Sequence, residues 1–221
     1  MSKKLYHKNT FVIDGTNQLG REIVRSFLQE GATVIVPSDS ANKIDILKKH
    51  VKEIKTGHLI TFLTDLHNFN KASDVSDILR EIYGQIDLTV AVMENEDEAN
   101  PFLNEIKISE IQKTVQDNIT TCLICSQIFL NHLDNQKCVF ITITKESDGF
   151  KVNPVSKLLS NIQNCIAQMI GEETNKIKAR YFHLFIDKNK DSALNSELIG
   201  QQIIKTYLNN DNAASETIIH I

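Results

Sequence analysis

The sequence predicts an α/β domain with a doubly wound parallel sheet, a layer of helices on each face. Three observations predict it. Short β-rich runs alternate with longer helical stretches to the end of the chain. The runs are almost continuously apolar, as in Thr33–Val36 and Val139–Ile143, which is how strands covered on both faces read. The first strand leads through a glycine-containing turn into an amphipathic helix, and ligands of such sheets sit at the carboxyl ends of the strands.

The elements follow in order. Thr10–Asp14 is β-branched and apolar, hence a strand; Gln18–Glu30 carries Ile23, Val24, Phe27 and Leu28 at helical spacing. Gly31 closes that helix and Thr33–Val36 is the second strand. Ala41–Ile54 reads as a helix and His58–Thr64 as extended chain. Lys71–Tyr83 is helical, and Gly84 punctuates it before the apolar strand Ile86–Met93. Ser109–Leu133 reads as one long helix, Lys137–Thr144 as a strand, and Val155–Thr174 as a second long helix. Arg180–Ile186, Leu194–Leu208 and Thr217–Ile221 complete the alternation as strand, helix and short strand. No repeat, low-complexity block or linker interrupts it, so residues 1–221 are expected to form one domain.

Composition limits the function. The chain is 41% hydrophobic and 24% charged, which is globular. A net charge of −4 is the wrong sign for a nucleic-acid surface, which needs clustered excess Lys and Arg. No apolar run reaches membrane-spanning length, and no hydrophobic segment follows the basic residues of the N-terminus. Cys122, Cys125, Cys138 and Cys165 lack the spacing of a disulfide scaffold, so a cytoplasmic location is expected. Cys122-Leu123-Ile124-Cys125 lies within an apolar helix and has no second ligand pair, so no metal is expected.

The first turn reads Asp14-Gly15-Thr16-Asn17-Gln18-Leu19-Gly20-Arg21. Glycines there let a dinucleotide pyrophosphate approach the backbone and meet the helix N-terminus. Gly15 suits the tight turn, Gly20 the close packing of helix on strand, and Asn17 tolerates unusual backbone angles. The ionised Asp14 would repel a pyrophosphate unless turned away or paired. A P-loop is excluded, because Arg21 and Glu22 stand where Lys and a hydroxyl residue are required. The plain alternative is a turn that only connects strand to helix. After the second strand, Ser38 and Asp39 stand where an acid bonds the ribose of NAD, and no Arg or Lys occupies that four-residue tip to receive a 2′-phosphate. The same two residues would equally cap the next helix.

With these elements in place, the chain resembles the short-chain dehydrogenase/reductase family along nearly its full length. Gly31-Ala32-Thr33-Val34 is similar to the family's entry into strand two, and Tyr83-Gly84-Gln85-Ile86-Asp87-Leu88 to its entry into strand four. Thr64-Asp65-Leu66 resembles the end of strand three, where an aspartate contacts the adenine. Asp117-Asn118-Ile119-Thr120 matches the long-helix asparagine, and Val139–Thr144 the strand ending in the catalytic serine, with Thr144 keeping a hydroxyl. Ser156-Lys157 closes the family's Tyr-x-x-Ser-Lys motif, but Asn153 stands at the tyrosine position.

The resemblance implies a Rossmann-type three-layer sandwich and an NAD or NADP cofactor, NAD slightly favoured. It implies cofactor contacts at Gly15, Thr16, Asn17, Leu19, Gly20, Ser38, Asp39, Asp65, Leu66 and Lys157. Its four catalytic positions fall on Asn118, Thr144, Asn153 and Lys157. The chain departs from the pattern in four places. A carboxamide at Asn153 does not titrate near neutrality and cannot act as general acid or base. Ala91-Val92-Met93-Glu94 replaces the family's Asn-Asn-Ala-Gly, the loop from Thr144 to Asn153 is short, and Asp187-Lys188-Asn189-Lys190 leaves no room for a substrate lid.

Two functions follow. One is a degenerate member without standard hydride transfer that retains nucleotide binding or acts as a partner subunit. The other is an atypical NAD(P)-dependent oxidoreductase of carbonyl or alcohol substrates, using Lys157, Thr144 and a water held by Asn153. The family's pairing through its two long middle helices implies a homo-oligomer, with Leu158, Leu159, Ile162, Ile166 and Ile170 as a bundle stripe; ordinary packing on the sheet is the other reading of that stripe.

Overall fold

The computed structural model describes residues 3–66, 68–93, 107–116, 119, 121–131, 138–146, 154–176, 180–187, 193–209 and 217–220. Their strands are β1 (Asn9–Ile13), β2 (Thr33–Ser38), β3 (His58–Leu63), β4 (Leu88–Met93), β5 (Val139–Glu146), β6 (Arg180–Asp187) and β7 (Thr217–His220). Their helices are α1 (Gln18–Gln29), α2 (Ala41–His50), α3 (Phe69–Ile78), α4 (Ile108–Val115), α5 (Thr121–Asn131), α6 (Pro154–Lys176) and α7 (Ala193–Leu208). The seven strands form one sheet in the order β3-β2-β1-β4-β5-β6-β7, and every neighbouring pair is parallel. The predicted doubly wound Rossmann-type architecture is what forms. The strand order reverses direction at β1 and β4, which opens the crevice where such sheets bind ligands.

Period-2 alternation divides the core into two layers. Val12, Val34, Val36, Val90, Ile141 and Leu184 point to one face and pack with residues of α1, α2 and α7. Phe11, Ile13, Ile35, Ala91, Phe140 and Tyr181 point to the other, against α3, α5 and α6. Helices α1 and α7 approach closely at Gly200, where a Cβ would overlap the Ser26 hydroxyl and lie 2.7 Å from its Cβ. The amino edge of the sheet is tied by Asp87, whose carboxylate accepts from Lys8 Nζ at 2.8 Å and from the Asn9 amide at 2.9 Å.

Several boundaries differ from the sequence reading. Within the segment read as one helix, Ser109–Leu133, the α-helical stretches are Ile108–Val115 and Thr121–Asn131, and Gln116 and Ile119 have the wider π-helical spacing. A π-helical turn, Leu79–Tyr83, ends α3 and exposes Ile82 before Gly84 turns at φ +64°. Helix α2 stops at His50, and a tighter bond from the Ile54 amide to the Val51 carbonyl replaces its last predicted turn. Of the stripe read either as a bundle surface or as packing on the sheet, part lies on the sheet. Leu159, Ile166 and Ile170 are 1%, 5% and 4% exposed, and the last two pack on the sheet. Among the described side chains of α6, the large apolar ones exposed are Leu158 and Met169.

Candidate functional site

The best-formed part of the site is the β1–α1 turn. Asn17 is the N-cap of α1, and its Oδ1 accepts the Gly20 amide at 2.6 Å. The Asn17 amide donates to the Asp14 carbonyl at 3.1 Å, and Arg21 Nη1 to the Thr16 carbonyl at 2.8 Å. The turn therefore consumes much of its own hydrogen-bonding capacity. Gly20 is required by that closure: a Cβ there would overlap the Asp14 carbonyl and stand 2.7 Å from Gly15 Cα. The amides of Gln18 and Leu19, in the first turn of α1, have no intrahelical acceptor by helix geometry and are the donors suited to a pyrophosphate. The Leu19 side chain itself is core, 7% exposed.

Asp14 holds a left-handed backbone, φ +55°, with its side chain exposed. Such a conformation suits Asn and Gly better, and it leaves a carboxyl group at the mouth of the turn. Thr16 and Ser38 are buried together, their hydroxyl oxygens 3.4 Å apart, joining the turn to the end of β2. Ser38 also accepts the Ser40 amide at 3.3 Å, while Ser40 is the residue that caps α2. Asp39 is exposed and does not cap α2. Asp65 lies in the turn after β3, where its carbonyl accepts the Asn68 amide at 3.2 Å. Leu66 is buried in the core, so its side chain does not face a ligand.

The other half of the predicted site is less complete. Asn118 and Asn153 lie outside the described residues, as does Glu94. Lys157 is exposed on the first turn of α6. Thr144 was expected to end β5, but the strand runs on to Glu146, pairing in register with Asp187 of β6. Thr144 is therefore an interior residue of the strand rather than its end. It is 0% exposed, and its hydroxyl has no hydrogen-bond partner among the described residues.

Sequence reasoning missed a buried polar group beside it. Thr142 Oγ1 lies 2.6 Å from Tyr181 Oη and 2.6 Å from His183 Nδ1. Burial pushes the His183 imidazole down to about 4, so it is neutral at neutral pH. The available signal was the polar alternation Thr142, Thr144 in β5 and Tyr181, His183 in β6, within otherwise apolar strands. Among the described residues no group of His, Cys, Asp or Glu could hold a metal ion, and no helix is long and apolar enough to cross a membrane.

The sheet order and the glycine turn at the carboxyl end of β1 define a Rossmann-type α/β fold. Residues 8–156 match the family described as short chain dehydrogenase, and the chain belongs to that family. No curated protein matches it. Among solved structures it is similar to a metagenomic short-chain oxidoreductase in complex with NADP, with TM-score 0.82, 14% identity, and 98% of each chain covered. It is similar to a short-chain type dehydrogenase/reductase from Mycobacterium marinum, with TM-score 0.81, 12% identity, and 98% of this chain and 94% of that one covered. It is also similar to an NADH-dependent reductase complexed with NAD, with TM-score 0.79, 14% identity, and 100% and 97% covered. At such identities the likeness speaks for the fold.

Proposed function

We propose that this protein binds a nicotinamide dinucleotide at the carboxyl ends of β1 and β2 and does not carry out the family's phenol-dependent hydride transfer. The observation that carries the reading is Thr144. A hydroxyl that positions a substrate carbonyl must reach it, and this one is sealed within β5. The sequence supports the same conclusion, since Asn153 supplies no titratable proton at the tyrosine position. Binding is supported by the Gln18 and Leu19 amides at the α1 N-terminus, with Asp39 at the ribose position and NAD slightly favoured over NADP. When bound, the cofactor would supply hydride chemistry; this chain's residues would bind and orient it.

The test is calorimetric titration with NADH and NADPH, followed by a carbonyl panel. Micromolar binding without turnover is expected. Turnover of any carbonyl would instead favour the oxidoreductase that works through Lys157 and Thr144. No binding at millimolar cofactor would leave a protein that acts only through partners. We further propose that two copies pair through the outward faces of α5 and α6, where Leu123, Leu158 and Met169 are exposed. Light scattering of the purified protein would show a dimer, and a monomer at high concentration would exclude it.

A further inference from the structure

Four buried side-chain atoms on the α6 side of β5 and β6 have no hydrogen-bond partner among the described residues: Thr144 Oγ1, His183 Nε2, and both Oε1 and Nε2 of Gln163. All three residues are 2% exposed or less. Each buried atom of this kind left unpaired is costly, so four in one region require an explanation. Thr144 and His183 are neighbours on the sheet. Thr142 pairs with His183 in register and Thr144 with Phe185, so Thr144 and His183 are diagonal neighbours on one face. Gln163 lies on the stripe of α6 that also carries Leu159, Ile166 and Ala167. Ile166 and Ala167 share a core cluster with Phe140 and Tyr181. Gln163 is one turn above Ile166 on the buried face of α6, the helix that packs on β5 and β6.

Either atom of each pair can donate, so the proton arrangement is an assignment, with the more acidic phenol as donor. Thr142 Oγ1 has one proton and two partners, Tyr181 Oη and His183 Nδ1. With the acidic phenol donating to Thr142, and Thr142 donating to Nδ1, the neutral imidazole carries its proton on Nε2. That N–H is then a buried donor, and the Gln163 carbonyl oxygen and the Thr144 hydroxyl are unpartnered buried acceptors among the described residues. A water molecule has the two donors and two acceptors that satisfy such a set, and conserved internal waters commonly make about three such bonds.

We propose that the space between β5, β6 and α6 is an internal water site, in which water joins His183 Nε2, the Gln163 carboxamide and the Thr144 hydroxyl. Through that water, His183 orients the buried Thr144 hydroxyl, a structural role inside the core. The inference does not depend on cofactor binding.

The first test is the full-length Gln163→Met variant, which keeps side-chain length and removes the amide. If the amide is satisfied through water, the melting temperature falls by about 3–6 °C, a loss of one to two net hydrogen bonds. An unchanged or higher melting temperature means that the amide was dry and unsatisfied, and overturns the proposal. The second test uses the unaltered protein. Rotating-frame cross-peaks from the His183 ring protons to long-lived water are expected, together with the nitrogen shifts of an Nε2-protonated ring; absence of the cross-peaks overturns the proposal even if the variant does not fold. A slowly exchanging Thr144 hydroxyl proton should disappear in His183→Phe and return in His183→Asn, a pattern that a role in packing alone would not give.

Discussion

The Thr142 hydroxyl and the His183 imidazole meet across two paired strands at 2.6 Å, and this contact holds a neutral histidine inside the sheet. Burial lowers His183 from the ordinary 6.5 to about 4. The unfolded chain therefore takes up a proton between about pH 6.5 and pH 4 that the folded chain refuses. The stability is fully present above pH 6.5 and is lost as pH falls toward 4, by up to about 3 kcal/mol. Urea unfolding at pH 7 and pH 4.5 should show this loss, and His183→Asn should remove most of it.

Gly20→Ala places a methyl group against the Asp14 carbonyl and 2.7 Å from Gly15 Cα, both backbone atoms with no freedom to move aside. The expected cost is about 1–3 kcal/mol, with loss of dinucleotide binding as the turn opens. Denaturant midpoints and calorimetry measure the two effects separately. A variant with full stability and full binding would show that the turn has more room than its geometry indicates.

Asp14→Asn removes a negative charge from the mouth of that turn and suits the φ of +55°. Dinucleotide affinity should rise by about fivefold, equivalent to about 1 kcal/mol at low ionic strength, and the gain should shrink with added salt. Equal affinity at low salt would place Asp14 away from the pyrophosphate.

Asp87→Ala strips the acceptor from the Lys8 ammonium and the Asn9 amide at the amino edge of the sheet. A loss of about 2–3 kcal/mol in urea unfolding is expected, because both donors are left partly buried. Lys8→Met should cost less, since the Asn9 amide still satisfies the carboxylate and the lysine side chain is 40% exposed. With its proton shared with Asp87, Lys8 titrates above the ordinary lysine range.

Asn153→Tyr should leave NADH binding as it is and fail to create carbonyl reduction, because Thr144 is sealed in β5. Reduction at a rate well above the unaltered protein would mean that the phenol was the one missing group.

Much of this molecule was legible in the sequence. Val34, Val90 and Ile141 alternate with Ile35, Ala91 and Phe140. That alternation between apolar residues on both faces fixes buried strands, and strands of this kind separated by amphipathic helices require a covered parallel sheet. The turn glycines and the lysine at 157 were equally local properties, readable because backbone angle and side-chain chemistry act within a few residues; Asn17, read for its tolerance of positive φ, instead caps α1 at φ −74°.

What only the tertiary structure decided were relations between distant segments. Thr144 reads as the end of a strand until pairing with β6 extends the ladder to Glu146 and makes it an interior residue. Leu159, Ile166 and Ile170 suit a helix bundle as well as a sheet, and only the docking of α6 on β5 and β6 assigns them to the core. Thr142 and His183 are 41 residues apart and carry no motif. Their meeting depends on strand register, which is set by the packing of the whole sheet rather than by either segment.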